Sequence, residues 1–170
     1  MGKRIMDLST KSTRELVALY SDILAELRKK ERDVLRTKNF LGDLGEYLVE
    51  DHYMRHPALP NVKRISVGAK NVDAKDEEGS SYSIKSVTST TTGTFHGLPE
   101  PPHEPSSPLF DYLIIAKFND TYQLEMIIEL DWVAFLKHKK WRKRMKAFNL
   151  VLSKKLLKDA KVVLQPPTRP

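Results

Sequence analysis

The spacing of hydrophobic residues changes along the chain, from helical near its start to strand-like in its middle. Apolar residues recur mostly every three or four positions from Leu16 to Leu35, which predicts a long amphipathic helix over about 13–36. A second helix is predicted over 40–53, although Gly42 and Gly45 in its first turns lower helix stability. Glycine at such positions often permits close approach to another backbone, so this helix is expected to pack tightly.

Short apolar or alternating stretches then predict a set of β-strands. We expect strands at 61–67, 72–75, 82–87, 109–118, 123–130 and 161–164. The proline-rich stretch 98–108 is expected to be a surface loop, because proline suits neither a helix interior nor a central strand. Asp131 is expected to cap a helix that continues through a basic stretch to residue 146, and Ser153 to cap a short helix ending near 159.

The segment 71–88 is predicted to form a β-hairpin, with Gly79 in its turn at a position of positive φ. Side chains two residues apart share one face of a strand, so Ser83 and Lys85 point the same way. Asp73 on the first strand is expected to lie near Lys85 on the second. An Asp beside a Lys suits a site that binds a divalent cation and activates water, but on an exposed sheet it is only a weak surface ion pair.

A second carboxylate belongs to the predicted helix 40–53. Glu46 lies on the same side of this helix as Gly42, Val49 and Tyr53, at spacings of four, three and seven residues. Glu46 is therefore a candidate for a carboxylate that faces the edge of the sheet. The alternative is an ordinary solvent-facing glutamate next to a glycine.

Composition fits a single soluble domain over 1–165, with its N-terminal helices at about 13–56 and a tail at 166–170. Hydrophobic residues make up 40% of the chain and charged residues 30%, which does not fit a disordered protein. The chain has no cysteine, so disulfides and thiolate metal sites are excluded. The absence of cysteine fits a reducing cytoplasm, and without an apolar signal region or a long apolar run we expect a cytoplasmic protein with no membrane partner.

The formal net charge of +7 favours an anionic partner, and nucleic acid is the usual one. Seven of the ten residues from 137 to 146 are Lys or Arg, which predicts either a DNA-contacting basic helix or a merely solubilising one. The threonine-rich stretch after Lys85 adds hydroxyl groups that could contact phosphate. The candidate DNA-binding residues are Lys137, Lys139, Lys140, Arg142, Lys143, Arg144, Thr90, Thr91 and Thr92.

The order of these elements resembles the PD-(D/E)XK nuclease superfamily, which includes restriction endonucleases, junction resolvases and repair nucleases. The matching pieces are Glu46 within GDLGE on the helix, Asp73 on one strand, and Lys85 within YSIK on the next. The stretches YSIKSVTSTTTGTFHGL, FDYLIIAKF and LEMIIELDWVAFLKHKKWRKRM are similar to those of a family of small restriction-endonuclease-like proteins. The resemblance covers most of the chain and implies an α/β (α+β) restriction-endonuclease-like core, a mixed central β-sheet flanked by helices.

The resemblance also implies a Mg²⁺-dependent endonuclease that acts on double-stranded DNA, with Mn²⁺ as a possible substitute. Asp73, Glu46 and the main-chain carbonyl of Ile84 would bind the metal. Lys85 would hold or help to deprotonate the attacking water, and Ser83 would contact a metal-bound water or phosphate. Because cutting both strands usually needs two active sites, a homodimer is expected by analogy.

The chain departs from the superfamily pattern at one position. The pattern usually has Asp or Glu two residues before the lysine, whereas this chain has Ser83, and a hydroxyl is a poor metal ligand. Glu46 is the first candidate to replace that acid, and Glu100 or Glu104 the next, while the acids of the turn 76–78 are expected to lie too far away.

Three other functions remain open from the sequence. The same fold could serve as an inactive DNA-binding module, as a junction or repair nuclease that recognises DNA shape, or as a structural protein that binds another partner. The five histidines are scattered without the spacing of a metal-binding pair, so none is assigned a catalytic role.

Overall fold

The computed structural model describes residues 7–30, 40–65 and 71–165. Its helices are α1 (Thr13–Lys30), α2 (Phe40–Arg55), α3 (Trp132–His138) and α4 (Lys154–Asp159). Its strands are β1 (Lys63–Arg64), β2 (Ala74–Lys75), β3 (Ser81–Val87), β4 (Tyr112–Phe118), β5 (Leu124–Asp131), β6 (Lys140–Arg142), β7 (Ala147–Asn149) and β8 (Lys161–Leu164). The chain therefore combines helices and strands, as the hydrophobic pattern predicts.

Six strands form one mixed sheet in the order β1-β2-β3-β4-β5-β8. β3 and β4 are parallel, and the other neighbours in this sheet are antiparallel. A parallel pair needs a long crossover, and the segment 88–111, which includes the proline-rich loop, makes it here. The mixed sheet with flanking helices confirms the coarse fold class expected from the sequence.

The sheet has a hydrophobic core on each face, because successive side chains of a strand point to opposite sides. Ile114 and Ala116 of β4 belong to the core that α2 covers. Leu113 and Ile115 belong to the second core, which α3 and α4 cover with Phe135 and Leu156. Both faces are buried, so β4 is apolar almost throughout, as expected for a central strand.

The prediction that the basic stretch continues the helix after Asp131 is wrong. The helix capped by Asp131 ends at His138, and the next residues form β6, a single 3-10 turn (Lys143–Met145) and β7. In a continued helix, Trp141 and Met145 would be the only large apolar residues of 137–146. Pairing β6 with β7 instead places Trp141 opposite Phe148 and buries β7 against the rest of the molecule.

The other elements lie close to their predicted positions. α2 begins at Phe40 as predicted and ends two residues beyond 53, and Ser153 caps α4 by accepting a hydrogen bond from the Leu156 N–H at 3.2 Å. The strand predicted at 161–164 is the edge strand β8. Residues 31–36 of the first predicted helix, 66–67 of the first predicted strand and the tail 166–170 lie outside the described residues. In the described parts of the chain, no helix has the length and apolar character needed to cross a membrane.

Candidate active site

Asp73 lies where β2 and β3 stop pairing. The last ladder pair is Ala74 with Tyr82, and the Asp73 N–H still donates to the Tyr82 carbonyl at 2.8 Å. Further along the same edge of β3, the Ile84 N–H has a side-chain partner instead of a backbone one, because it donates to Asp73 Oδ2 at 2.6 Å. The carboxylate of Asp73 is thus fixed against an edge of β3 that β2 leaves open.

Ser83 helps to orient this carboxylate. Its side chain is only 1% exposed, and its hydroxyl donates to Asp73 Oδ2 at 3.2 Å. The N–H and C=O of one strand residue point to the same edge, so the Ile84 carbonyl faces the same open edge as the Asp73 carboxylate. Ser83 therefore acts here as a hydrogen-bond donor to the metal-ligand candidate Asp73.

Lys85 projects from the same face of β3 as Ser83. Its ammonium nitrogen lies over the Phe95 ring, 5.4 Å from the ring centroid, which is within the range of a cation–π contact. Across the described residues, the structure gives Lys85 no ion pair with a carboxylate, and Asp73 and Lys85 do not form the direct pair expected of a hairpin. The Lys85 ammonium is therefore available to an anionic ligand.

The charges of Asp73 and Lys85 both affect the pKa of the Glu46 carboxyl on α2. Partial burial is the main cause that raises the pKa of the Glu46 carboxyl, and the negative charges of Asp73 and Asp43 raise it further. The positive charges of Arg64 and Lys85 act in the opposite direction. Helix α2 thus lies close enough to the sheet for the charges of Asp73 and Lys85 to act on Glu46.

Arg64 is a site neighbour that the sequence patterns did not single out. Its Nε atom pairs with the Glu50 carboxylate at 2.6 Å, and its guanidinium lies 5.7 Å from the centroid of the Tyr47 ring. These contacts hold Arg64 beside α2, close enough to lower the pKa of Glu46. The packing of β1 against α2 creates this arrangement. The alternation of side chains along β1 therefore could not predict that Arg64 lies near Glu46.

The oxygen atoms at this site fit Mg²⁺ better than a softer metal. Two carboxylates (Glu46 and Asp73) and the Ile84 carbonyl supply oxygen ligands, and Mg²⁺ usually needs only one or two carboxylates besides water and substrate phosphate. Burial first and the negative charge of Asp73 second raise the pKa of Glu46, and a divalent cation would offset the contribution of Asp73. No group of three or more His, Cys, Asp or Glu side chains arranged to bind a metal occurs within 7–30, 40–65 and 71–165.

The other acids considered as ligands have different roles. Glu104 pairs with Lys139 at 2.6 Å, which ties the proline-rich loop to the start of the basic hairpin, that is, the paired strands β6 and β7 with the turn between them (140–149). The Asp76 carboxylate accepts the Tyr82 hydroxyl and the N–H groups of Ser80 and Glu78, so it stabilises the turn between β2 and β3. Glu100 is exposed in the proline-rich loop.

The threonine-rich segment joins the basic hairpin to the candidate active site. Phe95 exchanges backbone hydrogen bonds with Phe148 of β7, at 2.7 and 3.4 Å, and Thr92 donates its N–H to the Leu150 carbonyl at 3.0 Å. The segment thus runs beside β7, and the ring of Phe95 lies under Lys85. The basic hairpin therefore lies on the same face of the sheet as Lys85.

The candidate DNA-binding residues divide into two groups. Lys137 pairs with Asp159 at 2.8 Å, Lys139 pairs with Glu104, and the buried Thr92 hydroxyl accepts the Leu150 N–H at 3.0 Å. Those three side chains already stabilise the fold. The second group comprises the exposed Lys140, Arg142, Lys143, Arg144 and Thr90 and the half-buried Thr91; of these, Arg142 also donates its Nε–H to Asn149 Oδ1 at 3.0 Å.

No model of a known protein family matches the chain, and no curated protein sequence matches it significantly. Its function is therefore inferred from its own residues and their geometry.

Proposed function

We propose that the protein is a cytoplasmic, Mg²⁺-dependent deoxyribonuclease with a restriction-endonuclease-like core. The observation that carries this proposal is the grouping of Glu46, Asp73 and Lys85 at the open edge of β3. Two carboxylates and an ammonium that has no ion pair among the described residues suit the hydrolysis of a phosphodiester. The basic hairpin on the Lys85 face supports a nucleic acid as the substrate.

Asp73, Glu46 and the Ile84 carbonyl would hold Mg²⁺ or Mn²⁺, and the bound metal would polarise the phosphate and lower the pKa of a coordinated water. Ser83 would keep the Asp73 carboxylate aimed at the open edge through its 3.2 Å hydrogen bond. Lys85 would offset the negative charge that develops on the phosphate as the water oxygen bonds to phosphorus and one ester P–O bond breaks.

The DNA duplex would lie across the face that carries the hairpin. The exposed cations Lys140, Lys143 and Arg144 would contact backbone phosphates, and the contact of Phe95 with Phe148 would set their position relative to Lys85. Cleavage of both strands would need a second active site, which a homodimer would supply.

A catalytically inactive DNA-binding module is the second candidate, and Ser83 is the observation that favours it. The superfamily pattern has an acid at this position, whereas the Ser83 hydroxyl is buried and committed to Asp73. Such a module would keep the basic hairpin and bind DNA without hydrolysing it. A nuclease specific for junctions or damaged DNA would differ from both in its preferred substrate.

The test is a cleavage assay on plasmid, genomic and branched DNA with Mg²⁺, Mn²⁺ or EDTA. The variant Lys85→Met keeps the apolar stem over Phe95 and removes the charge, and we expect it to lower the rate at least about 100-fold. Lys75→Ala removes an exposed lysine from the neighbouring strand β2 and serves as the matched control. Equal metal-dependent cleavage by Lys85→Met and wild type would exclude the proposed site.

Discrete fragments would indicate a sequence-specific enzyme, and a smear would indicate a nuclease without sequence specificity. Preferential cleavage of branched DNA would indicate a structure-specific nuclease. If the protein binds DNA but no metal supports cleavage, the inactive binding module becomes the better account.

A further inference from the structure

The basic hairpin ends in a four-residue tip that extends from a well-packed base. The last paired residues are Arg142 and Ala147, so residues 143–146 form the tip. It contains the 3-10 turn Lys143–Met145 and then Lys146, whose backbone is left-handed with φ 45° and ψ 46°. All four tip residues are exposed, and the side chain of Met145 has 56% of its surface accessible to solvent.

The base of the hairpin is anchored beside the second hydrophobic core, to which Phe95 belongs. The rings of Trp141 and Phe148 pack edge to face with centroids 4.9 Å apart, and Phe148 is nearly buried. Phe148 is also joined to Phe95 by backbone hydrogen bonds. The base therefore holds the tip in a defined place on the face that carries Lys85.

The chain on either side of the tip carries positive charge only. The segment 132–158 contains ten Lys and Arg residues and no Asp or Glu. Lys143, Arg144 and Lys146 flank Met145 in the sequence, and none of the three forms an ion pair with another residue of 7–30, 40–65 or 71–165. A polyanion is the partner that this charge distribution complements.

We infer that the tip enters a groove of duplex DNA and inserts Met145 between neighbouring base pairs, while Lys143, Arg144 and Lys146 contact the phosphates beside it. Proteins that bend DNA commonly insert an apolar side chain such as methionine as a wedge at a base step. The unbranched methionine side chain fits an irregular gap easily. The inference rests on the proposed binding of duplex DNA and adds a substrate class to it, namely DNA that is bent or easily unstacked.

Isolated exposed apolar residues are common on protein surfaces, so exposure of Met145 alone would mean little. It is distinguished by its place at the exposed end of a hairpin, between three cations that have no ion pair within the described part of the chain. Met54 near the end of α2 offers a matched comparison, because 64% of its surface is exposed and its neighbour Arg55 is paired with Asp51.

The test compares wild type, Met145→Ala and Met54→Ala in binding to two duplexes with Ca²⁺ in place of Mg²⁺. One duplex is fully paired and the other carries a single mismatch, with 2-aminopurine beside it to report unstacking. We expect wild type and Met54→Ala to bind the mismatched duplex about tenfold more tightly and to raise the 2-aminopurine fluorescence. Met145→Ala should lose most of both effects while its affinity keeps the same dependence on salt.

A Met145→Ala variant that keeps both the mismatch preference and the fluorescence change would overturn the wedge. Wild-type binding without any fluorescence change would also overturn it. Binding and cleavage are measured separately, so a protein that unstacks DNA but never cleaves it would refute the nuclease and leave the wedge supported. If wild type binds neither duplex even at low salt, both the wedge and DNA as the substrate are excluded.

Discussion

Gly45 of α2 lies so close to Ser86 of β3 that a methyl group at position 45 would be 1.7 Å from the Ser86 hydroxyl oxygen and 2.9 Å from its Cβ atom. Only a residue without a side chain allows this approach of helix to sheet. Glu46 follows directly in the chain, so the contact between Gly45 and Ser86 also sets how near Glu46 comes to Asp73. The glycine that weakens the helix locally thus positions the candidate metal ligand.

Gly45→Ala should destabilise the protein by about 1–3 kcal/mol, because α2 must move away from β3 to make room for the methyl group. Gly42→Ala is the matched control, since nothing lies within 4 Å of a methyl group there. That control should stabilise the protein by about 0.5–1 kcal/mol through better helix propensity. Urea unfolding of both variants measures the two changes.

The double variant Gly45→Ala with Ser86→Gly should recover part of the lost stability, because it removes both atoms that clash. The Ser86 hydroxyl is buried and has no hydrogen-bond partner among the described residues, so its loss leaves no partner unsatisfied. Equal stability of Gly45→Ala and Gly42→Ala would contradict the close approach of α2.

Glu46→Gln should stabilise the metal-free protein at neutral pH. The folded-state pKa of Glu46 is raised, so the ionised carboxylate costs stability above that pKa, and the cost disappears as protonation proceeds toward and below its ordinary value of 4.5. The advantage of Gln should therefore be largest at pH 7–8 and vanish near pH 4. Thermal unfolding in EDTA across this pH range measures it.

Mg²⁺ should reverse the order of stability of these two proteins. A metal that binds only the folded state stabilises wild type by mass action, and Glu46→Gln loses one of its ligands. The same thermal unfolding series with excess Mg²⁺ provides the comparison. If Mg²⁺ stabilises Glu46→Gln against thermal unfolding as much as it stabilises wild type, Glu46 is not a ligand of the proposed metal site.

Ser83→Asp should convert the buried hydrogen-bond donor into a further carboxylate beside Asp73. Without metal we expect lower stability, because two carboxylates repel each other in a desolvated place. Mn²⁺ should restore the stability and bind about tenfold more tightly than to wild type, as calorimetry would show. Ser83→Ala, the control, should lose only about 1 kcal/mol from the missing hydrogen bond to Asp73.

Removing two tip cations should weaken the salt dependence of DNA binding. Each phosphate contact contributes about 0.9 to the slope of log affinity against log salt, so Lys143→Ala with Arg144→Ala should lower the slope by about two. Lys137→Ala is the control, because its ammonium is paired with Asp159 at 2.8 Å. Fluorescence anisotropy at several salt concentrations measures the slopes, and an unchanged slope in the double variant would place the DNA elsewhere.

Local sequence pattern was sufficient for many of the elements. α2, β3 and β5 follow from periodicity, and β8 follows as a short edge strand, because their apolar positions repeat at the spacing of their own backbone. The hairpin pattern placed Asp73 opposite the strand of Ser83 and Lys85, because a short hairpin limits which residues can meet; in the structure Asp73 directly precedes β2 and bonds to Ser83. How the Asp73 carboxylate replaces a backbone partner of Ile84 was not predictable from that pattern.

The basic stretch shows where local pattern fails. Residues 137–146 have too few apolar positions to show either the helical or the strand spacing of hydrophobic residues. The pattern therefore gives no reason to end the helix capped by Asp131 before residue 146. Their conformation depends on Phe148 pairing with Phe95, which lies more than fifty residues earlier in the chain. A contact between such distant residues cannot be predicted from the spacing of apolar residues within 137–146.

By itself, then, the sequence determined the types of element, the central apolar strands and the chemical groups available: two carboxylates, a lysine and a dense run of cations. Only the tertiary structure decided that Glu46 comes near enough to Asp73 and Arg64 for their charges to shift its pKa, and that the cations form a hairpin on the Lys85 face. The physical reason is that periodicity reports which side of an element is buried, whereas the partner that buries it is chosen by packing between distant segments.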